Sequence, residues 1–299
     1  MMGPTVVCVG ASVLDYQFGV DGFSAEEGKA FAHSYREVGG GPAATAAVAI
    51  ARLGGTSHLF SRIGDDAVGD RIVADLEGEG VDASGILRLR GQSTVSAVLV
   101  DRSGRRSIVN YRDPDLPRDP SQISLSAIDK ADCVLADLRW PEASVAVMRR
   151  AKTIPRVIDA DSTDDEAAAN SLTLASHIVF SRPGLSALAE EADIEAGLRT
   201  MGARTGAFVA VTDGDDGYFW LADGAIHHAP AFRVDTVDTT GAGDVFHGAF
   251  ALALANGLAE PEALRYASGA AALKCTKPGG RAGIPTTAEL ADFLRKAAA

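Results

Sequence analysis

The chain has 299 residues, 46% of them hydrophobic and 23% charged, with a formal net charge of -12. That length accommodates one large α/β domain or two smaller ones, with ample material for a core. The acidic balance excludes a nucleic-acid or anionic-membrane surface, so an anionic ligand needs a local cationic pocket.

In chain order, the apolar runs predict a strand over 6–10, a helix over 42–53, a strand over 58–62 and a helix over 68–79. The opening residues show no signal-peptide features, and no apolar stretch approaches the roughly 18 residues of a membrane span, so the sequence reads as cytoplasmic. Strand patterns resume over 133–136, 157–160, 178–180 and 208–212, and helical patterns follow over 245–256, 260–275 and 287–296. Strands that are apolar throughout and alternate with helices predict a doubly wound α/β fold, a mostly parallel sheet flanked by helices. Two segments, about 15–38 and 94–112, alternate without an intervening helix and carry a Ser103-Gly104 turn signal. They predict either a small antiparallel sheet standing off the core or irregular surface loops. Cys8, Cys133 and Cys275 fit no zinc spacing and are expected to be reduced packing residues.

The most informative run is Asp238-Thr-Thr-Gly-Ala-Gly-Asp244, which opens a helix. The first amides of a helix lack intrahelical partners and lie at the positive end of its dipole, so they attract anions. Glycines at 241 and 243 allow close approach to a tetrahedral group. A carboxylate there repels phosphate unless it has another task. Asp244 is therefore a candidate base for an attacking hydroxyl, with the amides of Gly241, Ala242 and Gly243 stabilising the transferring group. The bland alternative is a glycine-rich turn with an acidic helix cap. Thr212, Gly214 and Gly217 follow the strand over 208–212, where the glycines permit close passage to a nucleotide or simply form a hairpin turn.

The run 238–244, together with Gly39-Gly-Gly-Pro-Ala-Ala-Thr-Ala-Ala-Val-Ala-Ile-Ala-Arg-Leu-Gly54, resembles the two signatures of the ribokinase-like (PfkB) carbohydrate kinases. The resemblance implies one kinase domain over 1–299, with the two strand segments forming a lid over the sugar and providing a homodimer interface. It implies ATP as phosphoryl donor, contacted by Thr212, Gly214, Gly217 and Gly280, with residues 271–280 forming the adenine pocket and Lys274 an exposed helix residue. Magnesium is implied with the nucleotide. Many relatives organise it through an Asn-X-X-Glu motif, but this sequence has Ser181-Arg-Pro-Gly184, which leaves Asp159 or Asp161 as metal candidates or as helix caps. Asp238 and Thr240 resemble residues that hold a monovalent cation in some relatives.

On the acceptor side, the resemblance implies that Asp15, Gly40 and Gly41 bind the sugar; Thr45 stands where ribokinases usually have Asn. The stretches 37–49, 135–140 and 273–285 are similar to the family's sulfofructose kinase branch, in which Lys, Asn and Arg at the positions of Lys29, Asn110 and Arg139 cradle a sulfonate. Two cations and an amide suit a singly charged tetrahedral anion. The implied reaction is phosphorylation of the C1 hydroxyl of 6-deoxy-6-sulfofructose, the entry to sulfoglycolysis. Fructose 6-phosphate, fructose, ribose and nucleosides are rival acceptors, and a non-catalytic sugar- or nucleotide-binding regulator is the rival class.

Overall fold

The computed structural model describes residues 3–23, 29–102, 104–161, 165 and 167–297. Among them a nine-stranded sheet runs in the order β5 (Ile86–Leu89), β4 (Thr56–Gly64), β1 (Thr5–Val9), β8 (Cys133–Asp137), β9 (Arg156–Ala160), β10 (His177–Ser181), β11 (Phe208–Thr212), β12 (Tyr218–Ala222), β13 (Ala225–Ala229). Neighbours are parallel from β5 to β11, and β12 and β13 add an antiparallel hairpin at one edge. The doubly wound α/β architecture is therefore present.

Both faces of the sheet are covered because its central strands are apolar on both. In β1, Val6 and Cys8 face one core with α1 (Pro42–Arg52), α2 (Ala67–Gly78), α7 (Ala242–Ala255), α8 (Glu260–Cys275) and α9 (Thr287–Lys296). Val7 and Val9 face the other core with α3 (Pro141–Arg150), α4 (Ala168–Leu172), α5 (Arg182–Ala189) and α6 (Ile194–Thr205). Each fully buried Val, Ile or Leu contributes about 1.5–3 kcal/mol relative to exposure. Proline stands in the first turn of α1, α3 and α8, where its missing N–H costs nothing. Cys8, Cys133 and Cys275 are free thiols, and burial pushes the first two well up in pKa, as suits inert packing residues.

The lid segments form a second, four-stranded sheet in the order β3 (Ser34–Gly40), β2 (Val13–Gly19), β6 (Val95–Val100), β7 (Arg106–Tyr111). Its outer pairings are antiparallel, but the central pairing of β2 with β6 is parallel, so the sheet is mixed. The reason is topological: β2 and β6 both leave the main sheet in the same direction, and each returns through its own hairpin partner. Ser103 lies outside the described residues. The β6–β7 turn is closed by Asp101, whose amide donates to Arg105 O and whose carboxylate accepts from the Arg105 amide, each at 3.0 Å.

Candidate active site

Strand order reverses at β1, which lies between β4 and β8, and crevices of doubly wound sheets open at the strand ends beside such a point. Asp137 ends β8 there. Its Oδ2 accepts from the amides of Ala11 (2.8 Å) and Ala43 (3.1 Å), and its Oδ1 from the amide of Arg139 (2.8 Å). One buried carboxylate thus ties together the exit of β1, the first turn of α1 and the loop after β8. Burial pushes its pKa up, against the pull of these amides and of Arg139.

The second sheet carries residues expected on the acceptor side. Asp15, Ser96 and Asn110 are in register across β2, β6 and β7, so three strands place them in one row. Asn110 Nδ2 donates to Ser96 Oγ at 3.0 Å and to Val95 O at 3.3 Å, while Ser96 stands opposite Asp15 in the β2–β6 pairing. Burial raises the pKa of Asp15, opposed by Ser96 and by the positive charge of Arg281. Gly40 pairs across from Val13 on β3, and a Cβ there would collide with Asp15 Oδ2, so the site needs a bare backbone. Gly41 follows as the residue that caps α1.

Opposite the lid, α7 begins at Gly241, whose φ of 74° falls in the left-handed region. Ala242 N donates to Thr239 O at 3.2 Å, which engages one of the three amides expected to face an anion. Among the described residues no backbone carbonyl accepts from the amides of Gly241, Gly243 or Asp244, so the donor set is displaced by one residue rather than lost. The Asp244 carboxyl is enclosed by protein yet still reached by solvent. Burial pushes its pKa up to about 7, reinforced by Asp159 and Asp137 and opposed by His247 and Arg281.

Behind Asp244, one turn along α7, His247 is buried. Its Nε2 is 3.0 Å from Val179 O, so Nε2 carries the hydrogen, and its Nδ1 is 3.3 Å from Asp159 Oδ2. Arg281 is also buried: Nη1 pairs with Asp75 at 2.5 Å, Nη2 donates to Gly40 O at 2.8 Å, and Nε reaches Thr45 Oγ1 at 3.4 Å. Thr45 is thus occupied with Arg281 beneath the acceptor loop.

The loop expected to meet the nucleotide follows β11. Thr212 Oγ1 donates to Phe180 O at 3.4 Å, Gly214 and Gly217 have φ of 57° and 91°, and a short 3-10 turn, Gly214–Asp216, joins them. A cleft of about 650 Å³ opens here, lined by Ser181, Arg182, Pro183, Thr212, Asp213 and Gly214. Arg182 forms an ion pair with Asp213 across it. Gly280 is not among the residues lining this cleft; its amide lies 3.4 Å from Asp238 Oδ2.

The residues named from sequence fall into two groups. Asp15, Gly40 and Asn110 meet through Ser96 on the lid; Asp244, Gly241 and Gly243 meet at the start of α7. Lys29 is exposed between β2 and β3, and Arg139 Nη2 lies 3.4 Å from Asp161. Lys274 corrects an expectation: it is completely buried, with Nζ 2.7 Å from Asp238 O. Residues without an assigned role in the sequence reading are Asp137, His247 and Arg281. An acidic residue closing an apolar strand was the available signal for the first; the other two depend on long-range contacts.

The chain matches the family model described as pfkB family carbohydrate kinase over residues 4–287. It is 30% identical to the ribokinase of Bacillus subtilis over 266 residues, 87% of this chain and 89% of that protein. It is 32% identical to the ATP-dependent ribose-1-phosphate kinase of Halopiger xanaduensis, covering 94% of each. Among solved structures, a putative ribokinase from Agrobacterium tumefaciens superposes with a TM-score of 0.94 at 37% identity, over 99% of both chains.

Proposed function

Because the chain belongs to the PfkB family of carbohydrate kinases, we propose that it transfers the γ-phosphoryl group of ATP to the C1 hydroxyl of 6-deoxy-6-sulfofructose. The observation that carries the transfer chemistry is Asp244, a carboxyl with a raised pKa beside the uncommitted amides that open α7. Asp244 takes the hydroxyl proton as the oxygen attacks phosphorus, and the amides of Gly241 and Gly243 bear the charge on the transferring group. The cleft beside Thr212, Gly214 and Gly217 receives the nucleotide, which Gly280 also contacts. Closure of the lid excludes water that would otherwise hydrolyse ATP.

Magnesium offsets charge on the β- and γ-phosphates when it accompanies the nucleotide. Of the two candidate aspartates, Asp159 does not fit it, being buried against His247. Asp161 does fit: its carboxylate is half-exposed, and it accepts from Ser181 Oγ at 2.8 Å at the mouth of the nucleotide cleft.

Asp15 and Gly40 orient the ring hydroxyls, and Lys29, Asn110 and Arg139 receive the sulfonate. Support for an anionic tail lies in the placement of Arg139, a half-buried guanidinium after the carboxyl end of β8 whose Nη2 lies 3.4 Å from the half-exposed Asp161. An arriving sulfonate can take over that weak pair. A neutral acceptor, fructose or ribose, is the second reading, favoured by the similarity of the chain to ribokinases and fructokinases. A panel of ATP-coupled assays separates them: sulfofructose should give the highest kcat/KM, and Arg139→Ala should raise its KM by about 10–100-fold while leaving fructose within about threefold. Efficient turnover of fructose 6-phosphate without turnover of sulfofructose rejects the sulfonate assignment.

The ionisation of Asp244 sets the acid limb of the profile. Below about 7, kcat/KM should fall by about tenfold per pH unit as the base is protonated. A profile flat down to the usual carboxylate range removes Asp244 from that role.

We also propose a homodimer built on the lid. Val109, Ile108 and Tyr111 on β7 and Tyr35 on β3 are exposed on the edge strands of a small sheet. Light scattering should report a dimer for the native chain and a monomer for Val109→Asp; a native monomer at micromolar concentration contradicts it.

A further inference from the structure

We infer that Lys274 is the resident cation of the loop leading into α7, standing where a monovalent metal ion would have to bind, so that the protein needs no added alkali cation. The residues around Asp238 do not fit such an ion. Lys274 extends from the last turn of α8 with its side chain 0% exposed, and its ammonium donates to Asp238 O at 2.7 Å with Asp238 Oδ1 at 3.9 Å. The carboxylate is already saturated. Its Oδ1 accepts from Thr240 N (2.8 Å), Thr240 Oγ1 (2.6 Å) and Arg106 Nη2 (3.2 Å); its Oδ2 accepts from the amides of Gly279 (2.9 Å) and Gly280 (3.4 Å). A dehydrated ion needs bare oxygens, and here they face N–H and O–H donors.

The ammonium also has a mechanical consequence. Val237 N and Asp238 N donate to Cys275 O at 2.8 and 3.1 Å, so the residues before the helix-opening amides hang on the carboxyl end of α8. A cation there offsets the negative end of that helix and the charge of Asp238 together. Arg106 reaches the same node from the lid, with Nη2 also 2.9 Å from Thr239 Oγ1. Lys274 is thus a positioning residue for Gly241 and Gly243, acting through Asp238.

The inference rests on the kinase reading for its turnover assay, and a melting assay makes it independent of that reading. Native protein, Lys274→Ala and Lys274→Met are titrated with KCl or NH4Cl against choline chloride at constant ionic strength. Native turnover and melting temperature should be the same in all three salts. Lys274→Ala, which vacates the space, should lose about tenfold or more in kcat and recover both kcat and melting temperature with K+ or NH4+. Lys274→Met fills the space without charge and should lose activity without recovery. A native enzyme whose turnover or melting temperature rises with K+ overturns the proposal, as does equal response of the two variants. If neither variant folds, the native titration decides by itself. If no acceptor is turned over, the kinase reading fails while the melting titrations still decide the role of Lys274.

Discussion

Replacing Asp244 with asparagine should lower kcat by about 10²–10⁴-fold, the range of general-base contributions, while sugar affinity changes by less than about threefold. The amide keeps the shape and its own hydrogen bonds but cannot accept the proton. The same variant should melt higher than the native chain above neutral pH. The sign follows from the raised pKa: the carboxyl, shifted from 3.8 to about 7 by burial and by Asp159, is stabilising for the fold when protonated and loses that contribution as pH rises through the folded value. Asparagine is neutral throughout, so its advantage is absent below the unfolded value of 3.8, grows as pH rises towards the folded value of about 7 and levels off above it, with about 2–4 °C for each kcal/mol at this chain size. Arg281 does not become unpaired in the variant, because Asp75 holds it at 2.5 Å. Turnover within about tenfold of native, or a melting difference independent of pH, would show that Asp244 is not the base.

Sequence displayed this site unevenly, for physical reasons. The start of α7 was legible because everything it needs is local: glycines for approach, helix amides for charge, and a carboxylate three residues past the cap. The strands of the main sheet were legible because burial on both faces makes them apolar throughout. The lid was legible as strands but not as a pairing scheme; that β2 and β6 run parallel depends on chain direction, which alternation does not encode. Asn110 and Asp15 were each nameable, yet their junction through Ser96 is a matter of register across 95 residues of sequence. Lys274 misled in the most instructive way. A lysine near a helix end is usually solvated, but α8 packs against α7, and Asp238, 36 residues earlier, supplies the carbonyl that makes burial tolerable. His247 was similarly silent, since one turn of an apolar helix gives no sign that Asp159 waits on β9.

Arg281→Met should reduce stability and catalysis together, and its mechanism joins the two halves of the site. The guanidinium is 4% exposed, and its three nitrogens each hold a different element: Asp75 of α2, Gly40 O at the end of β3, and Thr45 of α1. Gly39 lets it pass, because a Cβ there would collide with both Nη1 and the Asp75 carboxylate. Methionine preserves volume but leaves Gly40 O and Asp75 without their donor. Breaking a buried pair costs about 3–5 kcal/mol, and the 40% exposure of Asp75 places this one toward the lower end, a fall in melting temperature of about 6–12 °C. The charge matters separately. Arg281 holds down the pKa values of Asp15 and Asp244, so its removal should move the acid limb of kcat/KM to higher pH and raise the sugar KM through Asp15 and Gly40. Arg281→Lys retains charge without the planar fork: it should restore the acid limb while leaving the melting temperature and KM impaired. If lysine restores all three, the charge alone suffices and the fork that spans β3, α1 and α2 has no part in shaping the acceptor loop.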